Sequence, residues 1–207
     1  HATDDRLGWD DKEQAVAALA AAAARIGEQS ARLAATRAKA VVLVLQGPDA
    51  SGKDGTIRAV FDATSAFALQ VVPFKAPTST ELGHDYLWRV HAALPPRGII
   101  GVFNRSHYED VLIVRVDELV PEKVWKRRYD HINAFEHHLA DEGVVLVKCF
   151  LNVSKEAQAE RLQERLEDPT KSWKFSADDL RKREQWDAYA EAYTDMLERT
   201  STAWAPW

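Results

Sequence analysis

Nine residues, Gly47-Pro48-Asp49-Ala50-Ser51-Gly52-Lys53-Asp54-Gly55, restrict what this chain can fold into more than any other segment. They follow the apolar run Val41-Val42-Leu43-Val44-Leu45 and precede the helix-like Thr56-Ile57-Arg58-Ala59-Val60-Phe61. A strand, a glycine loop and a helix in that order form a phosphate cradle. Gly47 and Gly52 can take positive φ, so that consecutive backbone N–H groups turn onto one anion. The helix behind the loop adds its own unpaired N–H groups and the positive end of its dipole. Lys53 brings a mobile ammonium. The spacing is G-x-x-x-x-G-K, but the usual following Ser or Thr, whose hydroxyl holds Mg²⁺, is replaced by Asp54. Without its flanks the same segment reads as an ordinary tight turn.

The flanks continue as an alternation of strands and helices. The segment from Asp10 to about Lys39 reads as a helix, with Val16, Leu19, Ala23, Ile26 and Leu33 on one face. Strands are expected at Val41–Gln46, Leu69–Phe74, Ile99–Phe103 and Val144–Asn152. Helices are expected at 53–63, at 84–94 before Pro95-Pro96, from Pro121 to Glu142-Gly143, from the Ser154 cap to about Leu166, and again after Ser176 with Asp179. Ser106–Val116 fits a strand or a buried helical turn; helix is preferred, because a doubly wound sheet needs a crossover there. The pattern predicts an α/β fold of the P-loop kinase-like type, a parallel sheet with helices on both faces and a helical lid. Residues 1–39 would form an N-terminal helical extension and 40–207 the catalytic domain, with the lid at about 160–180.

Ligands of such a sheet bind beyond the carboxyl ends of its strands. Asn104-Arg105-Ser106-His107-Tyr108-Glu109-Asp110 leaves the third strand there. Asn104 and Arg105 stand where a nucleotide kinase needs a metal-orienting group and a cation on the transferred phosphoryl, with Glu109 and Asp110 a turn later. The plainer reading is a helix cap with a local salt bridge. Arg161 and Arg165 lie one helical turn apart, a spacing that favours a polyanion between them unless Glu164 and Asp168 neutralise them. The cationic loop with Lys171, Trp173 and Lys174 tips the balance to the polyanion, as a lid over phosphates. Asp49 inside the loop repels phosphate unless a divalent cation intervenes, so it is the candidate metal ligand, standing in for the missing hydroxyl at position 54. The group Lys123, Lys126, Arg127 and Arg128 reads as a solvated helix face.

Composition sets the outer bounds. A chain of 207 residues with 46% hydrophobic and 29% charged content is an ordinary globular protein, most economically one domain. Its longest apolar run, Ala15 to Ala24, is too short to span a bilayer, so no membrane partner is expected. The net charge of −5 argues against nucleic acid as a partner. The single cysteine, Cys149, excludes an internal disulfide and reads as a small core residue. No signal segment is expected, His1 suggests a trimmed start, and the cytoplasm is the favoured location. The histidines lack acidic or cysteine companions at metal-ligand spacing.

Three segments, GPDASGKDGTIRAVF (47–61), FKAPTSTELGHDYLWRVHAALPPRGIIGVFNRSHYEDVLIVRV (74–116) and ERLQERLEDPTKSWKFSADDL (160–180), resemble the polyphosphate kinases of family 2. The likeness extends over roughly 40–207. It implies phosphoryl transfer between inorganic polyphosphate and adenine or guanine nucleotides with Mg²⁺ or Mn²⁺, in a homodimer or homotetramer. It implies Asp49, Lys53, Asn104, Arg105 and Glu109 as catalytic residues. Gly47, Ala50, Ser51, Gly52, Asp54 and Gly55 would line the phosphate site, with Arg161 and Arg165 as clamps under a Lys171–Lys174 lid, and Lys75 and Arg89 near the polyphosphate path. Asn104, where many members have Asp, resembles the subgroup that accepts nucleoside monophosphates as well as diphosphates. Family members usually continue past Ala205-Pro206-Trp207, so a fifth strand is expected to be absent here. Two rivals share some of these features: an ATP-dependent nucleoside monophosphate kinase of thymidylate-kinase type, and a nucleotide- or polyphosphate-binding module without turnover.

Overall fold

A computed structural model describes residues 8–168 and 177–207. Helix α1 (Lys12–Thr36) begins at Asp11, whose side chain accepts from the Glu13 amide, and ends at a left-handed Arg37. Its full burial begins only at Ala23. Ala23 is buried and Ile26 and Leu33 join the core, whereas Val16 and Leu19 on the expected stripe are exposed. Periodicity marks a face but not where its cover ends.

Strand β1 (Ala40–Gln46) runs into the glycine loop, then α2 (Lys53–Val60), shorter than expected, and a 3₁₀ turn at Ala66–Ala68. Strand β2 (Leu69–Pro73) follows. The expected helix at 84–94 is instead two short ones, α3 (Ser79–Leu82), opened by a Thr78–Glu81 capping box, and α4 (Trp88–Ala92). Between them Asp85 accepts from the Leu87 amide and forms a turn, which breaks the helix. Strand β3 (Ile100–Asn104) leads to a 3₁₀ turn (His107–Val111) and α5 (Ile113–Val116). The ambiguous segment is thus helical, but it is not the crossover. That is α6 (Glu122–Asp141), which leads to β4 (Val144–Phe150). Helix α7 (Lys155–Glu167) starts at Ser154, whose hydroxyl accepts from the Ala157 amide, as expected. The last helix is broken at Gln185 into α8 (Ala177–Glu184) and α9 (Trp186–Thr200). The expected cap at Ser176 and the loop carrying Lys171, Trp173 and Lys174 lie outside the described residues.

The strands form a parallel sheet in the order β2-β3-β1-β4. One face, with Val42, Val44, Phe103 and Leu146, packs on Trp125, Tyr129, Ile132 and Leu139 of α6 and on Tyr193 and Met196 of α9. The other, with Leu45 and Val102, packs on Phe61, Ile57 and Val60 and on α1. Each such buried aliphatic or aromatic side chain is worth about 1.5–3 kcal/mol. Cys149 corrects the sequence reading: it is exposed, with Val145 and Val147, on the face of β4 left uncovered at the sheet edge. An apolar run does not say which of its alternate residues has a neighbour. Among the described residues no helix is long and apolar enough to cross a membrane.

The order 2-3-1-4 matters for function. The chain leaves β1 toward one sheet face and leaves β3 toward the other, and the crevice between those departures is where ligands of such sheets sit.

Candidate active site

The two loops that leave β1 and β3 meet in that crevice. Gly47 packs so closely that an added Cβ would lie 2.8 Å from both the Leu151 carbonyl and the Ser51 hydroxyl. Gly52, with φ +95°, is the residue before α2 and takes the left-handed backbone that glycine adopts freely. Ala50 is left-handed as well, with φ 61°. Gly55 differs from its companions: it lies inside α2 with open space around it, so no close approach requires it.

Lys53 is buried at the head of α2, and its ammonium bonds the Gly47 carbonyl at 2.7 Å, the Pro48 carbonyl at 2.9 Å and the Ser51 hydroxyl at 3.3 Å. Burial, reinforced by the Arg105 charge and partly offset by Asp49, Glu109 and Asp54, pushes its pKa down to about 8.

Asp49 is the hub. Its carboxylate pairs with Arg105 and, at 3.3 Å, with Lys182 of α8. Burial alone would raise this carboxyl, but the charges of Arg105, Lys182 and Lys53 outweigh it and hold the group below the usual carboxylate range. Arg105 has φ 62°, a conformation that costs a non-glycine residue about 1–2 kcal/mol. Its amide donates to the Leu45 carbonyl across the crevice. Glu109 accepts from Gln46 Nε2 at 3.0 Å, and Gln46 Oε1 accepts from Ser106. The β3 loop is thereby tied to the last residue of β1.

Asn104 and Asp54 turn out to be one unit. The Asn104 amide donates to Asp54 Oδ1 at 2.8 Å, so the residue that replaces the expected hydroxyl and the amide that replaces a carboxylate are matched. From the far side, Arg161 donates to the Ala50 carbonyl at 3.2 Å and Gln158 to the Asp49 carbonyl at 2.9 Å, which bring α7 onto the loop. Arg165 is half-buried one turn further on. At the end of β2, Arg89 donates to the Lys75 carbonyl at 2.9 Å and lies over the Phe74 ring, so this pair stands beside the β3 loop. Asp110 is held by Arg128 at 2.8 Å, and Arg128 also stacks on Tyr86, so this arginine is not part of a solvated face. Trp88 stacks on His84, with ring centroids 4.2 Å apart.

A cavity of about 670 Å³ opens beside the loop, lined by Gly47, Asp49, Arg105, Glu109 and Lys182 and, on its other wall, by aromatic residues of α9 that include Trp186 and Tyr189. Lys182 was missed in the sequence. Arg181, Lys182 and Arg183 look like any basic run on a helix, but each grips a different partner: Asp117, Asp49 and the Lys155 carbonyl respectively.

Asp49 is the loop carboxylate that could hold a magnesium ion in place of its Arg105 and Lys182 partners, since that ion is held by one or two carboxylates together with substrate phosphates. Among the described residues no group of three or more His, Cys, Asp or Glu forms a self-sufficient metal cage.

Comparison with known proteins agrees with this geometry. The family model described as Polyphosphate kinase 2 matches residues 9–207. The chain is 51% identical over 205 residues to the AMP/ADP-polyphosphate phosphotransferase of Meiothermus ruber, covering 99% of this chain and 77% of that protein. It is 43% identical to the ADP-polyphosphate phosphotransferase of Rhodopseudomonas palustris, over 96% of this chain and 73% of that protein. The crystal structure of polyphosphate kinase 2 from Arthrobacter aurescens superposes with a TM-score of 0.93 at 42% identity, over 99% of this chain and 74% of that one. Phosphate loop, β3 turn and sheet order thus accord with a match along almost the whole length, and the chain belongs to the polyphosphate kinase 2 family.

Proposed function

We propose that this chain moves the terminal phosphoryl group of inorganic polyphosphate to a nucleotide, converting AMP to ADP and ADP to ATP, and catalyses the reverse. The observation that carries the reading is the convergence of Asp49, Lys53 and Arg105 on one glycine loop. Such a site can hold two polyanions end to end. The transferred group would sit over the loop amides, where Lys53 exchanges its loop carbonyls for phosphoryl oxygens. Arg105 meets the charge on the equatorial oxygens. The bond from phosphorus to the bridging oxygen of the chain breaks as a bond to the nucleotide's terminal phosphate oxygen forms, and the polyphosphate leaves one unit shorter. Little covalent work falls to the protein, so positioning and charge stabilisation are the catalysis.

Asp49 would hold Mg²⁺ or Mn²⁺, with Asn104 and Asp54 to orient it; when bound, the ion neutralises phosphate charge and screens the carboxylate from the substrate. Arg161 and Lys182 approach the loop from α7 and α8 and suit the phosphate chain, as do Lys75 and Arg89. Acceptance of both AMP and ADP is supported by the name of the Meiothermus relative and by the amide at position 104. A homodimer or homotetramer and use of guanine as well as adenine nucleotides complete the reading.

The test is product analysis after incubation with Mg²⁺, polyphosphate and AMP, then ADP or GDP, with polyphosphate as sole donor. ADP from AMP, ATP from ADP and GTP from GDP are expected. Transfer to AMP from ATP but never from polyphosphate would identify a nucleoside monophosphate kinase instead, and nucleotide binding by calorimetry with no transfer would identify a binding module.

A further inference from the structure

Under the Arg105 turn lies a second set of ionisable groups, which the chemistry above does not use. Glu136 of α6 and Lys148 of β4 pair at 2.7 Å with both side chains wholly buried. The ammonium directs its three N–H bonds to Glu136 Oε2 at 2.7 Å, the Tyr108 hydroxyl at 2.9 Å and the Thr200 carbonyl at 2.7 Å. The Tyr108 hydroxyl donates to Glu136 Oε1 at 2.7 Å, and the same oxygen lies 3.2 Å from His107 Nε2. Burial by itself would raise the Glu136 carboxyl, yet His107 and Lys148 together hold it below the usual carboxylate range. Trp207 closes the cluster, its ring meeting Tyr108 edge-on and lying 5.1 Å from the ammonium.

A buried ion pair is a poor source of stability, because desolvation offsets its attraction. What this one does hold is the pair of residues that follow Arg105 and Ser106. Arg105 adopts a left-handed backbone, and such residues persist only where the surroundings over-determine them. From the β1 side the turn is gripped through the Leu45 carbonyl, Gln46 and Ser106. From beneath it is gripped through His107 and Tyr108.

We propose that Glu136 and Lys148 are positioning residues that hold His107 and Tyr108 from below and so fix the Arg105 turn that aims its guanidinium at Asp49 and the transferred phosphoryl group. The proposal rests on the role given to Arg105 above.

The decisive variant is Glu136→Leu combined with Lys148→Met, which removes both charges at similar volume and strands neither. The charges leave together, but the Tyr108 hydroxyl, His107 Nε2 and the Thr200 carbonyl lose these partners, so a moderately lower melting temperature is expected and kcat is measured well below it. The kcat for ADP with polyphosphate is expected to fall about 10²-fold, the cost of roughly 1 Å of misplacement. KM for both substrates should stay within about threefold, the signature of an interaction felt only in the transition state. In an Arg105→Ala background the double substitution should add no further loss, because it acts through the missing guanidinium. Should the double variant not fold, Tyr108→Phe is measured in its place; a lower melting temperature is expected because the buried ion pair loses a bond to each partner, with kcat reduced well below that temperature, and parental kcat there overturns the proposal. A folded variant with parental kcat overturns the proposal, as does a loss that disappears on cooling below the variant's melting transition. If Arg105→Ala itself keeps parental turnover, it is the assignment of the active site that fails.

Discussion

Two charge clusters lie on either side of the turn at 104–110. In the cleft, Asp49, Arg105 and Lys182 retain partial exposure, with side chains 15%, 30% and 17% accessible. Beneath, Glu136 and Lys148 have none. The functional groups are of the same kind: a carboxylate, one or two cations and short bonds. The difference lies in what can replace the partners. In the cleft there is room for a phosphate or a metal, and on the proposed reading it takes over these contacts, so the protein's own ion pairs would be placeholders for substrate. Beneath the turn nothing can enter, so the pair can only hold geometry. On that reading the accessible charges serve the chemistry and the enclosed ones orient the chain.

That contrast breaks most sharply at Arg105. Replacing it with glycine removes the guanidinium but relieves a left-handed backbone, so kcat should fall by about 10³–10⁵ while the melting temperature stays close to the parent's. Steady-state kinetics beside calorimetry decides it; a loss of stability proportional to the loss of rate would erase the distinction between the clusters. The opposite pattern is expected inside. Lys148→Ala alone leaves Glu136 buried without its cation and should cost about 3–5 kcal/mol in urea denaturation.

Lys53 lies between the two, buried yet facing the cleft, and pH tests it. Its folded pKa of about 8 is below the ordinary 10.5. Between those values the unfolded chain binds the extra proton, so stability rises with pH across that window. The contribution is full above 10.5 and lost as pH falls through 8, with a slope of at most about 1.4 kcal/mol per pH unit. Denaturation curves from pH 8 to 10 should show the rise in the metal-free protein and a smaller one in Lys53→Met, where Lys148, also pushed down by burial, remains. A smaller effect is expected at Asn104→Asp, which sets a carboxylate against Asp54. The ratio of kcat/KM for AMP over ADP should drop about tenfold, or about 1.4 kcal/mol, and Asp54→Gly should restore part of it. The smallest is Lys182→Ala, where removal of a partly exposed pair should change stability by under about 1 kcal/mol while raising KM for polyphosphate.

Much of the geometry of the cleft is legible in the sequence. Gly47, Gly52 and Lys53 announce themselves because only a few spacings let amides and an ammonium meet one anion, and Arg105 follows from the strand before it. The Asn104–Asp54 bond was not legible, although both departures were noticed, since nothing in the linear order says that positions 50 residues apart touch. Lys182 was hidden because a basic helix run looks the same whether it faces water or a carboxylate. Cys149 was misjudged because an apolar strand at a sheet edge reads like one at the centre. The buried Glu136 and Lys148 each sit in an ordinary amphipathic or apolar stretch, and only their packing makes them a pair.

From its residues alone this chain is committed to strands alternating with helices and to a glycine loop with the form of a phosphate cradle, because local sterics and backbone N–H geometry act over a few residues. Which carboxylate meets which cation, and which of those pairs water and substrate can reach, was decided only when β1, β3, β4 and α6 came together. Burial and charge pairing depend on neighbours remote in sequence, and no local pattern records them.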